Sequence, residues 1–255
     1  MKRKFQHYID LIIVLTQKEL KVRYKNSFFG YLWSVGQPLA FASVFFIAFK
    51  VVMKVPVEDY TLFIISGLFP WQWFANSVNA APIVFLGNAS LIKKVNFPRS
   101  MMPFSQVLQD MIHLIFSIPV IVLFLFIYHK MPSLSWLYGV PLLLTIQFLM
   151  TYGICLIISS VNLFFRDLER LTTICMTLFF YFTPVLYPET MVPEKYKFFM
   201  NINPLAPLMI SWRNLFLKGT LQPMYLIVSF AYAIGIFVLG YTIYRKLSWR
   251  FAEVL

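Results

Sequence analysis

Long, nearly uncharged stretches, each closed by a proline, a glycine or a small group of cations, set the rhythm of this 255-residue chain. Six of them are long enough to cross a bilayer as helices, at residues 28–52, 60–86, 103–128, 136–165, 171–187 and 224–244. Ahead of them the pattern changes. Phe5, Tyr8, Ile9, Ile12, Leu15 and Leu20 fall on one side of a 3.6-residue wheel, with Asp10, Gln17, Lys18, Lys21 and Lys25 opposite. That spacing predicts a helix lying in the membrane interface, its apolar side about 5–10 Å into the headgroup boundary. A solvated helix packed on a neighbour fits the same pattern.

The connections differ in kind. Residues 53–59 and 129–135 are short turns broken by Pro56 and Pro132. Residues 188–223 hold two apolar pieces, 198–202 and 208–217, interrupted at Asn203-Pro204 and Pro207 and each too short to span. They predict either a re-entrant helical hairpin that packs on protein, or a pair of surface helices. On the other side, residues 87–102 combine a breaker at Gly87-Asn88, a short amphipathic piece carrying Lys93 and Lys94, and a stop at Pro98. A mere turn needs fewer residues, so this loop reads as a docking surface. The 166–170 loop concentrates Arg166, Asp167, Glu169 and Arg170, as a second handle or as a solvated turn with self-compensating charges.

Composition sharpens the class. At 60% hydrophobic and 13% charged, the chain has too few polar residues to cover a soluble surface. The expected fold is an all-α polytopic membrane protein with six transmembrane helices, an interface helix over residues 1–27 and a transmembrane domain over 28–255. The net charge of +12 lies in short clusters between apolar runs, which suits an anionic lipid surface and not nucleic acid. Fifteen of the 22 Lys and Arg fall in the N-terminus, the 87–102 and 166–170 loops and the C-terminus, which places both termini in the cytoplasm. Lys2 to Lys4 resemble the start of a signal peptide, but the run behind them holds Asp10 and Gln17 and lacks a small-residue cleavage site, so it is expected to be retained. Cys155 and Cys175 sit in apolar runs and read as small buried hydrophobes, not as a disulfide or metal pair.

Several motifs, in order, resemble the ABC-2 type permeases that export polysaccharides. They are RYKNSFFGYLWSVGQP at 23–38, Ile92-Lys93-Lys94-Val95 with Phe97-Pro98-Arg99, NLFFRDLER at 162–170, TPVLYP at 183–188 and INPLAP at 202–207. The resemblance runs nearly end to end and is nearest to the membrane subunits of O-antigen exporters, with capsule and teichoic acid permeases as relatives. It implies a homodimer in the bacterial inner membrane, bound to two ABC ATPase subunits and moving an undecaprenyl-pyrophosphate-linked glycan outward. It also makes the segment around Leu91, Ile92, Lys93 and Lys94 the coupling helix.

The residues agree with that division of labour. No G-x-x-x-x-G-K-[ST] loop occurs, so ATP and Mg would be used by the partner ATPase and this chain would bind no cofactor. There is no H-E-x-x-H and no D-x-D, and only ten acids and three scattered His occur, so no catalytic residue and no metal site is expected. An ATPase that pushes on the chain has residues 89–97 and 166–170 as its available handles. A lipid pyrophosphate needs cations near the inner leaflet, where Arg23, Lys25 and Arg99 are the candidates; ordinary positive-inside topology explains them equally. Phe69, Trp71, Trp73, Phe74, Phe180, Tyr181 and Tyr187 offer flat faces on which sugars of a sliding polymer can stack, or else they pack helices and anchor the interface. Asp110 and His113, one turn apart, are either a structural pair, with Arg99 near, or the relay of a proton-coupled transporter.

Overall fold

The computed structural model describes residues 6, 10–18, 21, 32–54, 56–95 and 97–254, with the side chains of residues 34, 35, 37, 38, 201, 252 and 253 excepted. Within them the chain is helical, with no strand. Helix α1 is helical over residues 10–18. It is followed by α2 (Trp33–Phe45), which continues through a wider π-helical segment to Val52, and by α3 (Tyr60–Ala80) and the short α4 (Ala89–Lys94). Then come α5 (Met101–Ile127), α6 (Trp136–Asn162), α7 (Leu168–Phe182), α8 (Lys197–Ile202), α9 (Ala206–Lys218), α10 (Pro223–Leu247) and α11 (Phe251–Val254).

Among the described residues, three stretches are long and apolar enough to cross a membrane: α5, α6 and α10 with its extension to Arg250. Two others end earlier than hydropathy alone implies. The run expected over 60–86 stops as an α-helix at Ala80, because Pro82 has no N–H to carry the ladder on and the chain turns through Ala81–Ile83. The run expected over 171–187 begins at Leu168 and stops at Phe182. There Thr183 precedes Pro184 and is held extended (φ −92°, ψ 137°), as the proline ring demands of its neighbour.

α3 is the central post. Fifteen of its 21 residues are buried, so it is enclosed on most of its circumference instead of along one stripe. α9 is more deeply enclosed: every residue from Ala206 to Phe216 is buried among α3, α6 and α10, so this piece of the 188–223 connection is not a surface helix. Its far end is closed by Gly219 at φ 65°, where Gly219 N–H donates to Leu215 O (3.0 Å) and Thr220 N–H to Asn214 O (3.3 Å). A Cβ at Gly219 would lie 2.4 Å from Ser133 Cβ, so this turn packs directly on the α5–α6 turn.

α6 and α10 make the closest helix pair. A Cβ on Gly240 would fall 2.2 Å from the Gly153 carbonyl oxygen, and one on Gly153 would fall 2.7 Å from Phe237 Cα. The two backbones touch, with Ser229, Ala233 and Gly240 as the buried residues of α10. Small residues permit this approach where no hydrophobic force drives helices together in lipid. Gly240→Leu is therefore expected to overpack the seam by about 1–3 kcal/mol or more, whereas Gly235→Leu meets nothing within 4 Å. Thermal unfolding of the purified chain should show a clear loss for the first and an unchanged midpoint for the second.

Candidate functional site

At one end of the bundle a second, smaller core forms beneath α4. It gathers Leu15 of α1, Val84 and Phe85 after α3, Ile92 of α4, Phe97 and Met102 before and in α5, Leu163 after α6, and Phe251 of α11. Phe85 lies 4.9 Å from the Phe251 ring, and Tyr244 of α10 lies 6.0 Å from it. Asn162 at the end of α6 donates to Pro82 O (2.9 Å), so the α3–α4 and α6–α7 connections leave the bundle at the same end. α4 rests on this core through buried Ile92 and half-buried Leu91, and turns Lys93 and Lys94 outward. Arg166, Asp167, Glu169 and Arg170 are all exposed. The six-residue amphipathic piece and the charged loop are thus presented together.

Arg99 is committed to the same layer. Its Nη1 donates to Ser248 O (2.7 Å) and its guanidinium carbon lies 5.9 Å from the Phe251 ring, so it ties the C-terminal turn down. Arg23 and Lys25 lie outside the described residues, as do Phe5, Tyr8, Ile9 and Leu20 of the α1 face. Between α1, the turns that follow α3 and α5 is a cavity of about 320 Å³, lined in part by Leu15, Lys18, Gly87, Asn88, Ser105 and Gln106. Lys18 Nζ donates to Asn88 Oδ1 at its mouth.

The aromatic candidates separate into two groups. Phe69, Trp71, Trp73 and Phe74 are buried within the chain at 2–4% exposure, and Trp73 Nε1 donates to Val107 O (3.1 Å). They pack α3 against α5 and α7 and present no face to a substrate from this chain. Phe180 is half-buried between Trp71 (5.4 Å) and Phe45 (5.7 Å). Tyr181 is exposed, and Tyr187 donates from its hydroxyl to Tyr181 O (2.9 Å).

α7 also carries a feature that hydropathy hides. Only Thr172 and Met176 of its fifteen residues are buried. Glu169, Thr173, Thr177 and Tyr181 recur at spacing four, all exposed, and so form one polar stripe along an otherwise apolar helix. Thr173 and Thr177 return their hydroxyl protons to Glu169 O (3.2 Å) and Thr173 O (3.0 Å), which leaves oxygen lone pairs facing outward. The signal lay in the sequence as hydroxyls four residues apart, masked by the leucines and phenylalanines between them.

Among the described residues, one acidic and one basic side chain are buried deep in the bundle. Asp110 in α5, 1% exposed, accepts from Ser77 Oγ (2.8 Å) and Gln106 Nε2 (3.1 Å), which joins α3 to α5. Arg213 in α9, 6% exposed, donates Nη2 to Val185 O (2.7 Å) and stacks 3.8 Å over the Phe63 ring. Burial pushes the Arg213 guanidinium down to about 9, with Glu189 and Tyr60 raising it against that, so it stays charged at neutral pH. Gly67 makes room for it, since a Cβ there would come 2.8 Å from Nη2. Among the described residues no group of three His, Cys, Asp or Glu is placed to hold a metal.

Comparison with known proteins adds the following. Residues 10–217 match the family model described as ABC-2 type transporter. Two proteins of Klebsiella pneumoniae named "O-antigen export system permease protein RfbA" are each 48% identical over 255 residues, covering 100% of this chain and 98% of theirs. A protein of the same name from Myxococcus xanthus is 32% identical over 222 residues, 86% of this chain and 85% of its own.

The aromatic placement has a direct check. Trp73→Ala should cost about 3–5 kcal/mol, as loss of a core ring does, while Tyr181→Ala should stay within about 0.5 kcal/mol, as exposed positions do. Chemical or thermal unfolding of the two variants in the same detergent measures the difference.

Proposed function

The chain belongs to the ABC-2 type transporter family, and from that premise we propose that it is the membrane permease through which an ABC exporter passes O-antigen polysaccharide on a lipid-pyrophosphate carrier. The observation that carries this reading is the identity of 48% along the whole chain to permeases of O-antigen export systems. Two copies form the pathway and two ABC ATPase subunits drive it, using ATP and Mg; this chain contributes transport and no bond chemistry. It sits in the bacterial inner membrane with both termini cytoplasmic. Six crossings are made by α2 with its π-helical extension, α3, α5, α6, α7 with the extended residues after it, and α10. α1 lies along the inner interface within residues 1–27, ahead of the transmembrane domain at 28–255, and α8 with α9 re-enters from the outer side.

Force and cargo then use different parts. The ATPase bears on Leu91, Ile92, Lys93 and Lys94 and on the 166–170 loop; the small core under α4 spreads that push to the ends of α3, α5, α6 and α10. The carrier pyrophosphate is received by Arg23, Lys25 and the N–H groups of Arg99 that Ser248 does not use. The polymer slides along α7, past Glu169, Thr173, Thr177, Tyr181 and Tyr187, with Phe180 behind them. Hydroxyl and ring contacts of this kind are weak and repeat along the path, which suits a chain that must keep moving. Exposed apolar side chains on α2 and α7, including Phe41, Val44, Leu178 and Phe182, support pairing with a second copy.

Two experiments test this. In cells dependent on this permease, Lys93→Glu with Lys94→Glu is expected to abolish co-purification with the ATPase and surface O-antigen without loss of membrane insertion. Thr173→Val with Thr177→Val should keep ATPase binding and lower export several-fold; unchanged export would remove α7 from the path. The hairpin is read by single cysteines in a chain lacking Cys155 and Cys175. Glu194→Cys should react with an impermeant maleimide from outside and Ile202→Cys should not, and equal labelling would return α8 to the surface.

A further inference from the structure

On the hairpin side of the bundle lies a cavity of about 310 Å³ that neither the polysaccharide path nor the ATPase-facing layer uses. Met200 of α8, Pro207 and Ile210 of α9, and Met224 and Val228 of α10 make it apolar, and only Glu189 and Tyr225 bring polar groups to it. Those two are bonded to each other: the Tyr225 hydroxyl donates to Glu189 Oε2 (2.7 Å), which holds the half-buried carboxylate in place. Its other oxygen has no protein partner among the described residues. Arg213 is close enough to respond to the charge on Glu189, yet turns to Val185 O and the Phe63 ring. A carboxylate bonded to a tyrosine at an apolar cavity whose lining holds no cation is a group that can take a positive donor arriving from elsewhere.

The surroundings say what kind of molecule carries that donor. Beside the cavity, α8 exposes Phe198, Phe199 and Ile202 by more than half, so the cavity opens beside bare apolar surface. Lys197 stands one helical turn before Met200, on the same side of α8. Its ammonium is paired with Glu194, whose side chain is 85% exposed, and an exposed pair of this kind exchanges at little cost. An apolar slot with a fixed carboxylate, and an exchangeable ammonium one helical turn from its Met200 wall, complements a lipid whose head carries both signs.

We propose that this cavity binds a phosphatidylethanolamine-type lipid from the outer leaflet, with an acyl chain against Met200, Ile210 and Val228, its ammonium donating to Glu189 and its phosphate turned to Lys197. The assignment rests on the placement of α8 and α9 in the outer leaflet given above. The carboxylate disfavours phosphatidylglycerol and any pyrophosphate carrier, and a choline head has no N–H to donate. The bound lipid fastens α8 and α9 to α10, away from the moving polymer.

The test is native mass spectrometry of the full purified chain, stripped of lipid and titrated separately with dioleoyl phosphatidylethanolamine, phosphatidylglycerol and phosphatidylcholine. One phosphatidylethanolamine should be retained about tenfold more tightly than either of the others, the scale of a charge-assisted hydrogen bond. Glu189→Gln keeps an acceptor for Tyr225 and should bring phosphatidylethanolamine to the level of phosphatidylcholine; Val228→Phe fills the slot and should remove retention of all three. Equal retention of the three lipids, a preference for phosphatidylglycerol, or a preference that survives both variants overturns the proposal. Protection of Ile202→Cys from the impermeant maleimide, measured on the same preparations, separates failure of this site from failure of the hairpin placement.

Discussion

Where water is absent, every backbone group that a proline or a turn releases must find a partner inside the protein, and this bundle is arranged around that need. Asn162 donates to the carbonyl of Pro82 just past the end of α3. Gln147 donates to Pro70 O (2.8 Å) and receives the Trp212 indole N–H (2.6 Å), so one amide ties α3, α6 and α9 together at a shared depth. Asn203 does the same at the α8–α9 turn, donating to Thr183 Oγ1 (2.9 Å) while its own oxygen takes the Leu205 N–H (2.9 Å). At these three points an amide side chain is matched to a break in the regular backbone. That matching allows α9, which is short and contains a charge, to occupy the interior.

Much of the fold follows from the apolar runs themselves. α5, α6 and α10 are unbroken leucine-, isoleucine- and phenylalanine-rich stretches, and their ends fall within a few residues of where the run ends. The misplaced boundaries share one cause. Residues after Pro82 and around Pro184 remain apolar, so a hydropathy window continues through them, while the helix stops for lack of an N–H or for want of room beside a ring. The 208–217 piece was ambiguous because it is too short to span, and only the carbonyl of Val185 and the face of Phe63 show how its arginine is accommodated inside.

The site was legible where chemistry alone defines it and obscure where facing matters. Lys93, Lys94 and the 166–170 charges had to be exposed, and they are. The α3 aromatics met every compositional requirement for a sugar-stacking surface, yet hydropathy reports depth and not direction. Trp71 and Trp73 prove to be the packing between α3 and its neighbours. The hydroxyls of α7 have the reverse history, since two threonines and a tyrosine add little polarity to a fifteen-residue average but fall on one line once wound into a helix.

The backbone contact between Gly153 and Gly240 has a mechanical consequence. Two helices that meet main chain to main chain have no side-chain cushion to compress or re-sort, so α6 and α10 can only travel as one rigid body. α7, anchored by two buried side chains, is bound by far fewer constraints. Relative movement within the bundle is therefore expected to fall on α7 and not between α6 and α10.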